Sequence, residues 1–249
     1  MEITERRYQT SMPISPIPEV KSLREYIYDF LRHEMNSGKI KPGSFLNLNE
    51  LSRDLGMSKT PLRDALLHLE AEGFVTFFPR KGVMVNLLSL EKIRDIYEII
   101  GALEAQTIHS IGGLITPKDI DHMDQLNQEM QQALEKDDFP LFYEKNLAFH
   151  DVYLKLSSNQ ELVHTVQILK QRLYDFPRIK GFVKEWEIRS TGEHEDIIHR
   201  LRQGDLWTAA DYIRDVHWSF KVQERFIRKY YFLHQEENFP ERTGQKKQL

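Results

Sequence analysis

The chain has 249 residues with 34 Lys and Arg against 38 Asp and Glu, a formal net charge of −4, and no cysteine. That length suits two domains of ordinary size, each able to bury a core, while the missing cysteines exclude disulfides, thiolate metal sites and cysteine nucleophiles. No apolar run reaches the ~18 residues of a membrane helix and the opening Met1-Glu2-Ile3-Thr4-Glu5 has no signal-peptide pattern, so a soluble cytoplasmic protein with no membrane partner is expected.

Residues 1–19 are polar and carry Pro13, Pro16 and Pro18, the composition of a mobile arm. A helix is predicted from about Val20, with Val20, Leu23, Ile27, Phe30, Leu31 and Met35 on one face and Gly38 closing it. Asn47 and Glu50 have the spacing of a capping box, Leu48, Leu51 and Leu55 form a short stripe, and Gly56 ends that helix. Ser58 is the expected N-cap of the next helix, which tolerates Pro61 because a first-turn residue has no intrahelical N–H bond to lose.

On this second helix Leu62, Ala65, Leu66 and Leu69 project to one face, and Lys59, Thr60, Arg63 and Leu67 to the other. Cations near a helix N-terminus oppose the helix dipole, and a polyanion resolves the conflict. After Gly73, residues 74–78 and 83–85 read as strands around Pro79-Arg80-Lys81-Gly82, a basic tip. Residues 20–88 therefore outline a winged helix-turn-helix, whose dominant use is to place its second helix in the DNA major groove. Within them ten Lys and Arg exceed eight Asp and Glu, roughly +2 on an acidic protein, which suits site-specific docking better than indiscriminate coating.

From Ser89 the pattern is helical throughout. Helices are predicted at about 89–111, 117–136, 139–157, 160–177, 184–203 and 205–233, each with period-3.6 apolar residues and each bounded by turn residues. Short links between them predict an all-helical antiparallel six-helix bundle over residues 89–234, followed by a polar tail at 235–249. The fold class is thus mainly α, with one small winged domain.

Of the ten histidines, His109, His122, His164 and His199 project to polar faces. Three others point inward from different helices: His150 beside Phe142, Phe149 and Tyr153, His194 among Ile197, Ile198 and Leu201, and His217 among Ala210, Ile213 and Val216. Asn146 stands one turn before His150 on the same face. Any one of these alone would be an ordinary core histidine, but three imidazoles and an amide oxygen converging in a bundle core suit Zn²⁺, Ni²⁺ or Mn/Fe. Because all four donors are neutral, a divalent ion there would keep its full charge and favour an anionic ligand such as a carboxylate.

With both halves in view, the chain resembles a GntR-superfamily transcription regulator of the FadR branch with a C-terminal FCD effector domain. The resemblance spans about residues 18–233. It rests on Lys41-Pro42-Gly43, Glu50-Leu51, the run from Leu55 to Leu66, Leu69-Glu70, Glu72-Gly73 and Arg80-Lys81-Gly82, then on Asp95 to Glu104, Asn146 to His150, Ser158-Asn159, His194 to Asp205 and His217. It implies DNA contacts from Asn49, Ser58, Lys59, Thr60, Arg63, Arg80, Lys81 and Gly82, and metal ligation by Asn146, His150, His194 and His217. Three positions depart from the common pattern: Lys59 where relatives often have Arg, Asn146 where Asp is usual, and Ile100 where relatives often place an Arg. Lysine lacks the planar fork of Arg, and Arg172 is the candidate replacement for the missing effector-binding charge.

The resemblance further implies a homodimer on a roughly palindromic operator, with a small organic acid at the metal shifting domain spacing. The lever is expected where the helix beginning at Ser89 meets the winged domain. Two other uses of the same histidines are a regulator answering to the metal ion itself and a His₃ enzyme. For the enzyme, Glu104 is the one candidate general base on a buried stripe.

Overall fold

The computed structural model describes residues 22–175 and 182–232. The expected arm at 1–19, Val20, the turn from Pro177 to Gly181 and the tail lie outside the described residues.

The first helix, α1 (Leu23–Asn36), starts three residues after the predicted Val20, less than one turn later. Ser22 caps it, with Glu25 completing a reciprocal capping box. Ile27, Leu31 and Met35 are fully buried, whereas Leu23 is half exposed because it stands in the first turn, beyond the reach of the core. The short strand β1 (Phe45–Leu46), which carries too few residues to show alternation, precedes α2 (Leu48–Asp54). Asn47 caps α2 by accepting from the Asn49 and Glu50 amides. The return bond from the Glu50 side chain is not made, so only half of the expected capping box forms.

The next helix, α3 (Lys59–Ala71), buries Leu62, Ala65, Leu66 and Leu69 as its projection predicts. Strands β2 (Val75–Phe78) and β3 (Gly82–Val85) pair antiparallel with Val75 opposite Val85, and β1 adds to the far edge of β3 in the order β1-β3-β2. Alternation puts Val83 and Val85 in the core and turns their neighbours outward.

The second domain opens with α4 (Leu90–Ser110), capped by Ser89, and continues through α5 (Pro117–Glu135), α6 (Phe139–Leu154), α7 (Gln160–Asp175) and α8 (Lys184–Arg202). The single final helix predicted over 205–233 is instead three pieces: α9 (Leu206–Tyr212), a π turn at Ile213–His217, and α10 (Phe220–Tyr231). The π turn closes with the Trp218 amide donating to the Ile213 carbonyl at 2.8 Å, an i to i+5 bond. Its cause is packing, because no Gly or Pro marks it. Here α4 passes so close that a methyl on Gly101 would lie 3.1 Å from Trp218 Cβ and 3.4 Å from Arg214 Cα. The widened turn brings both His217 and Trp218 inside.

The core of the bundle runs between α4, α5, α6 and α8, with α7 on the side that faces the winged domain. Within the described residues α7 packs against α1 of the winged domain and against α4.

Candidate functional site

Two surfaces carry chemistry. On the winged domain, Asn49, Ser58, Lys59, Thr60, Arg63, Arg80 and Lys81 are all exposed and Gly82 is half-buried. Ser58 occupies the N-cap position with extended backbone, yet its hydroxyl makes no capping bond, contrary to the expected cap. The first turn of α3 contains no acidic residue, so nothing on the helix offsets its positive end or the Lys59 charge. Arg63 follows Lys59 by four residues and Leu67 follows Arg63 by four; Leu67 is 45 % exposed on the same outward face. At the wing tip the Lys81 amide donates to the Phe78 carbonyl at 3.1 Å, closing a turn with Pro79 at its second position and Arg80 at a left-handed φ of 64°. The turn presents Arg80 and Lys81, both exposed, at the end of the β2–β3 hairpin.

The second surface is internal. His150 (α6), His194 (α8) and His217 (π turn) each bring a ring nitrogen to within 4.8 Å of the others. Each ring is turned by a bond at its Nδ1. His150 Nδ1 lies 3.0 Å from Glu104 Oε2 and 2.7 Å from the Tyr153 hydroxyl, His194 Nδ1 lies 3.2 Å from Asn127 Oδ1, and His217 Nδ1 lies 3.0 Å from Glu193 Oε2. The orienting groups are themselves held. Asn127 donates to the Thr191 carbonyl at 3.0 Å, and Glu193 accepts from Arg189 Nε and Gln223 Nε2, both at 2.9 Å. His150 Nε2, His194 Nε2 and Asn146 Oδ1 are buried and have no protein partner, while the Asn146 amide donates to the Tyr174 hydroxyl at 3.0 Å.

Buried polar atoms without partners cost about 1–3 kcal/mol each, and two such imidazole nitrogens in one cluster of three histidines, with a third such atom on Asn146, are the mark of a site built for something else to fill. The donor set fits a divalent cation: neutral imidazole nitrogens and an amide oxygen, each with its other end anchored, which is how ligating histidines are ordinarily held. Electrostatics agree. Burial pushes the His150 ring down to about 3, with the Lys170 ammonium adding to it. Burial likewise holds His194 well below the usual histidine range, with His217 and His150 contributing. Both rings are therefore free bases at neutral pH, ready to donate lone pairs.

Glu104 is the hub of the anchoring layer. It is fully buried and accepts from Tyr153 at 2.6 Å and Trp218 Nε1 at 2.8 Å, in addition to His150. Lys170 Nζ sits 2.5 Å from its other oxygen as an ion pair. Burial alone would raise the Glu104 carboxyl, but the Lys170 ammonium and His150 outweigh it and hold it well below the ordinary carboxylate range. With its oxygens so engaged it is an orienting anion, and the role of general base is closed to it.

Beside the cluster lies a cleft of about 60 Å³ bounded by Asn146, His217, Glu193 and a ring of Tyr97, Tyr143, Tyr174, Trp186, Trp218 and Tyr230. That volume admits a few waters or a ligand of a few heavy atoms. Arg172 is not on its wall: a methyl built on Gly73 would meet Arg172 Nη2 at 2.9 Å, so the guanidinium reaches the winged domain instead. It is the neighbours Leu173 and Tyr174 that face the cleft, one helical step away. Of the histidines assigned to polar faces, His122, His164 and His199 are exposed; His109 is half-buried, its ring 4.2 Å from that of Trp207.

Residues 16–85 match the family described as bacterial regulatory proteins, gntR family, and residues 95–216 match the FCD domain. A regulator described as an uncharacterized HTH-type transcriptional regulator in the TAR-I ttuE-ttuC' intergenic region of Agrobacterium vitis is 30 % identical over 127 residues, covering 50 % of this chain and 74 % of that protein. One from an unstable DNA locus of Streptomyces ambofaciens is 26 % identical over 184 residues, 74 % of this chain and 77 % of that one. Among solved structures, McbR/YncC of E. coli superposes with a TM-score of 0.60 at 23 % identity, covering 87 % of this chain and 99 % of that chain. On the two matched domains and these relatives, the chain belongs to the GntR family of bacterial regulatory proteins, in the branch with an FCD effector domain, and is a DNA-binding transcriptional regulator rather than an enzyme.

Proposed function

We propose that this regulator binds its operator through α3 and the wing, and that a small ligand at a metal-containing pocket of the helical domain controls that binding. The observation that carries the second half is the convergence of His150, His194 and His217, two of whose Nε2 atoms (His150 and His194) are buried without a partner, with the partnerless Asn146 Oδ1 on the wall of the adjoining cleft. Asn146, His150, His194 and His217 would hold a divalent ion such as Zn²⁺, Ni²⁺ or Mn/Fe. When bound, the ion supplies a positive charge at the head of the cleft, where an organic acid's carboxylate fits. The tyrosine hydroxyls around the cleft would supply hydrogen bonds for the rest of such a molecule.

For DNA, Ser58, Thr60 and the first N–H groups of α3 suit phosphate or base-edge contacts. Lys59 and Arg63 lie on the exposed face that would enter the major groove, and Asn49, Arg80, Lys81 and Gly82 flank it on either side. A two-fold homodimer presenting two such heads to a palindromic operator in the cytoplasm completes the reading. No helix among the described residues is long and apolar enough to cross a membrane.

A regulator that answers to the metal alone uses the same ligands, and the test separates the two. Elemental analysis of the purified protein should give one divalent ion per chain, lost in His194→Ala. Operator binding should survive chelation within a few-fold, yet respond to short carboxylic acids only in the metal-loaded protein. Loss of operator binding on chelation alone would favour the metal as signal.

A further inference from the structure

One helix, α7, touches both halves of the molecule. Lys170 pairs with Glu104 at 2.5 Å, and Glu104 in turn holds the His150 ring. Tyr174 lines the cleft and receives the Asn146 amide at 3.0 Å, while the Leu173 carbonyl accepts from the Tyr231 hydroxyl at 2.6 Å. Between them, Arg172 points the other way and lays its guanidinium on Gly73 of the winged domain.

Gly73 is itself a node. It stands just past the C-cap of α3 at a φ of +80°, and its amide donates to the Glu70 carbonyl at 2.9 Å. Its own carbonyl accepts from Asn86 Nδ2 at 2.9 Å, and the Asn86 amide donates to the Phe74 carbonyl at 2.9 Å. Gly73 thus joins the end of α3 to Asn86, the residue that follows β3 on the way to α4, just ahead of β2. Glycine is required by its left-handed backbone, and the guanidinium above it occupies the space that a side chain there would fill. Arg172 Nε is buried and makes no hydrogen bond. An unpartnered buried N–H is costly, so this seat is one the guanidinium can leave with that cost relieved.

We propose that Arg172 is a positioning residue that carries the state of the cleft to the DNA-reading head by its seat on Gly73. A shift at Tyr174 or Asn146 turns the last turn of α7, Arg172 moves with it, and the orientation of α3 and the wing follows. The inference rests on the reading of the cleft as the ligand site, but its test does not need the ligand or the metal.

The test is a cycle on the full-length protein with amide hydrogen exchange as readout. Tyr174→Phe removes the hydroxyl that Asn146 reaches. Arg172→Met keeps the apolar stem and removes the guanidinium; far-UV circular dichroism and melting establish that both variants are folded. The expected result is that Tyr174→Phe alters exchange at residues 70–77 by about threefold or more in the parent, and leaves it unchanged in the Arg172→Met background. Equal responses in both backgrounds, or no response at 70–77 in the parent, would overturn the proposal. Zn²⁺ addition and chelation are run in parallel and read at residues 146–153 and 190–217. No change there would defeat the metal reading while leaving the cycle to decide on Arg172.

Discussion

Replacing Glu104 by Gln is the sharpest perturbation of the buried network, because the two side chains have nearly the same shape and differ in charge. The carboxylate faces four groups at 2.5–3.0 Å: Lys170, Tyr153, Trp218 and His150. The amide leaves the Lys170 ammonium, 4 % exposed, with its counter-charge removed. Breaking a buried pair in this way costs about 3–5 kcal/mol. The alternative open to the protein is to deprotonate Lys170, which at pH 7 costs about 4.6 kcal/mol for an ordinary lysine, from roughly 3.4 pH units at 1.36 kcal/mol each. The two routes set the same ceiling. For a helical domain of this size, with a melting shift of about 3 °C per kcal/mol, the midpoint should fall by roughly 10–15 °C. Calorimetry and urea melts of the metal-free protein measure it, and adding Lys170→Met to Glu104→Gln should recover more than half of the loss. A single variant melting within about 2 °C of the parent would refute the argument that this ion pair holds the site together.

Four further outcomes are expected. In metal-free protein, stability should decline as pH falls below about 6.5, because His150 and His194 are held neutral when folded and bind protons when unfolded; with both contributing, the slope should approach ~2.7 kcal/mol per pH unit in pH-dependent urea melts. A depressed folded value makes this stability present above the unfolded value and lost through the window down to about 3 for His150. Gly73→Ala should destabilise by about 1–2 kcal/mol from the left-handed backbone alone, seen as a lower urea midpoint, and by a similar amount in an Arg172→Ala background, because that strain does not depend on the guanidinium. Arg63→Ala should weaken operator binding by about 1–3 kcal/mol and relax base preference at one position, whereas Lys81→Ala should weaken all sequences alike and reduce the salt slope by about one. Replacing Glu193 by Gln should lower metal affinity about 10–100-fold through the His217 ring while leaving DNA affinity of the metal-free protein unchanged.

The parts of this molecule legible in its sequence are those set by local periodicity. The leucine face of α3, the caps at Ser89 and Asn47, and the inward aim of His150, His194 and His217 all follow from which residues recur every three to four positions. What was not legible depends on partners far apart in the chain. Glu104 and His150 are 46 residues apart, His194 and Asn127 67, and Trp218 and Glu104 114. No spacing rule pairs them, so the layer that orients the histidines came only with the fold. The break in the last helix was hidden for the same reason. Residues 205–233 are apolar at helical spacing with no glycine or proline after Gly204, and only the close approach of α4 at Gly101 forces the wide turn at Ile213–His217. Arg172 shows the limit of projection in another way. It stands at the edge of the apolar stripe Leu162, Val166, Leu169 and Leu173, and a residue at such an edge can turn to either side; the winged domain, absent from any single-helix projection, decides which.

The most direct measurement is metal analysis of the purified full-length protein by inductively coupled plasma mass spectrometry, with His150→Ala and His194→Ala as controls. The account predicts one divalent ion per chain in the parent and close to none in either variant. Parent protein that carries no metal, and whose melting temperature does not move when Zn²⁺, Ni²⁺ or Mn²⁺ is added, would contradict it.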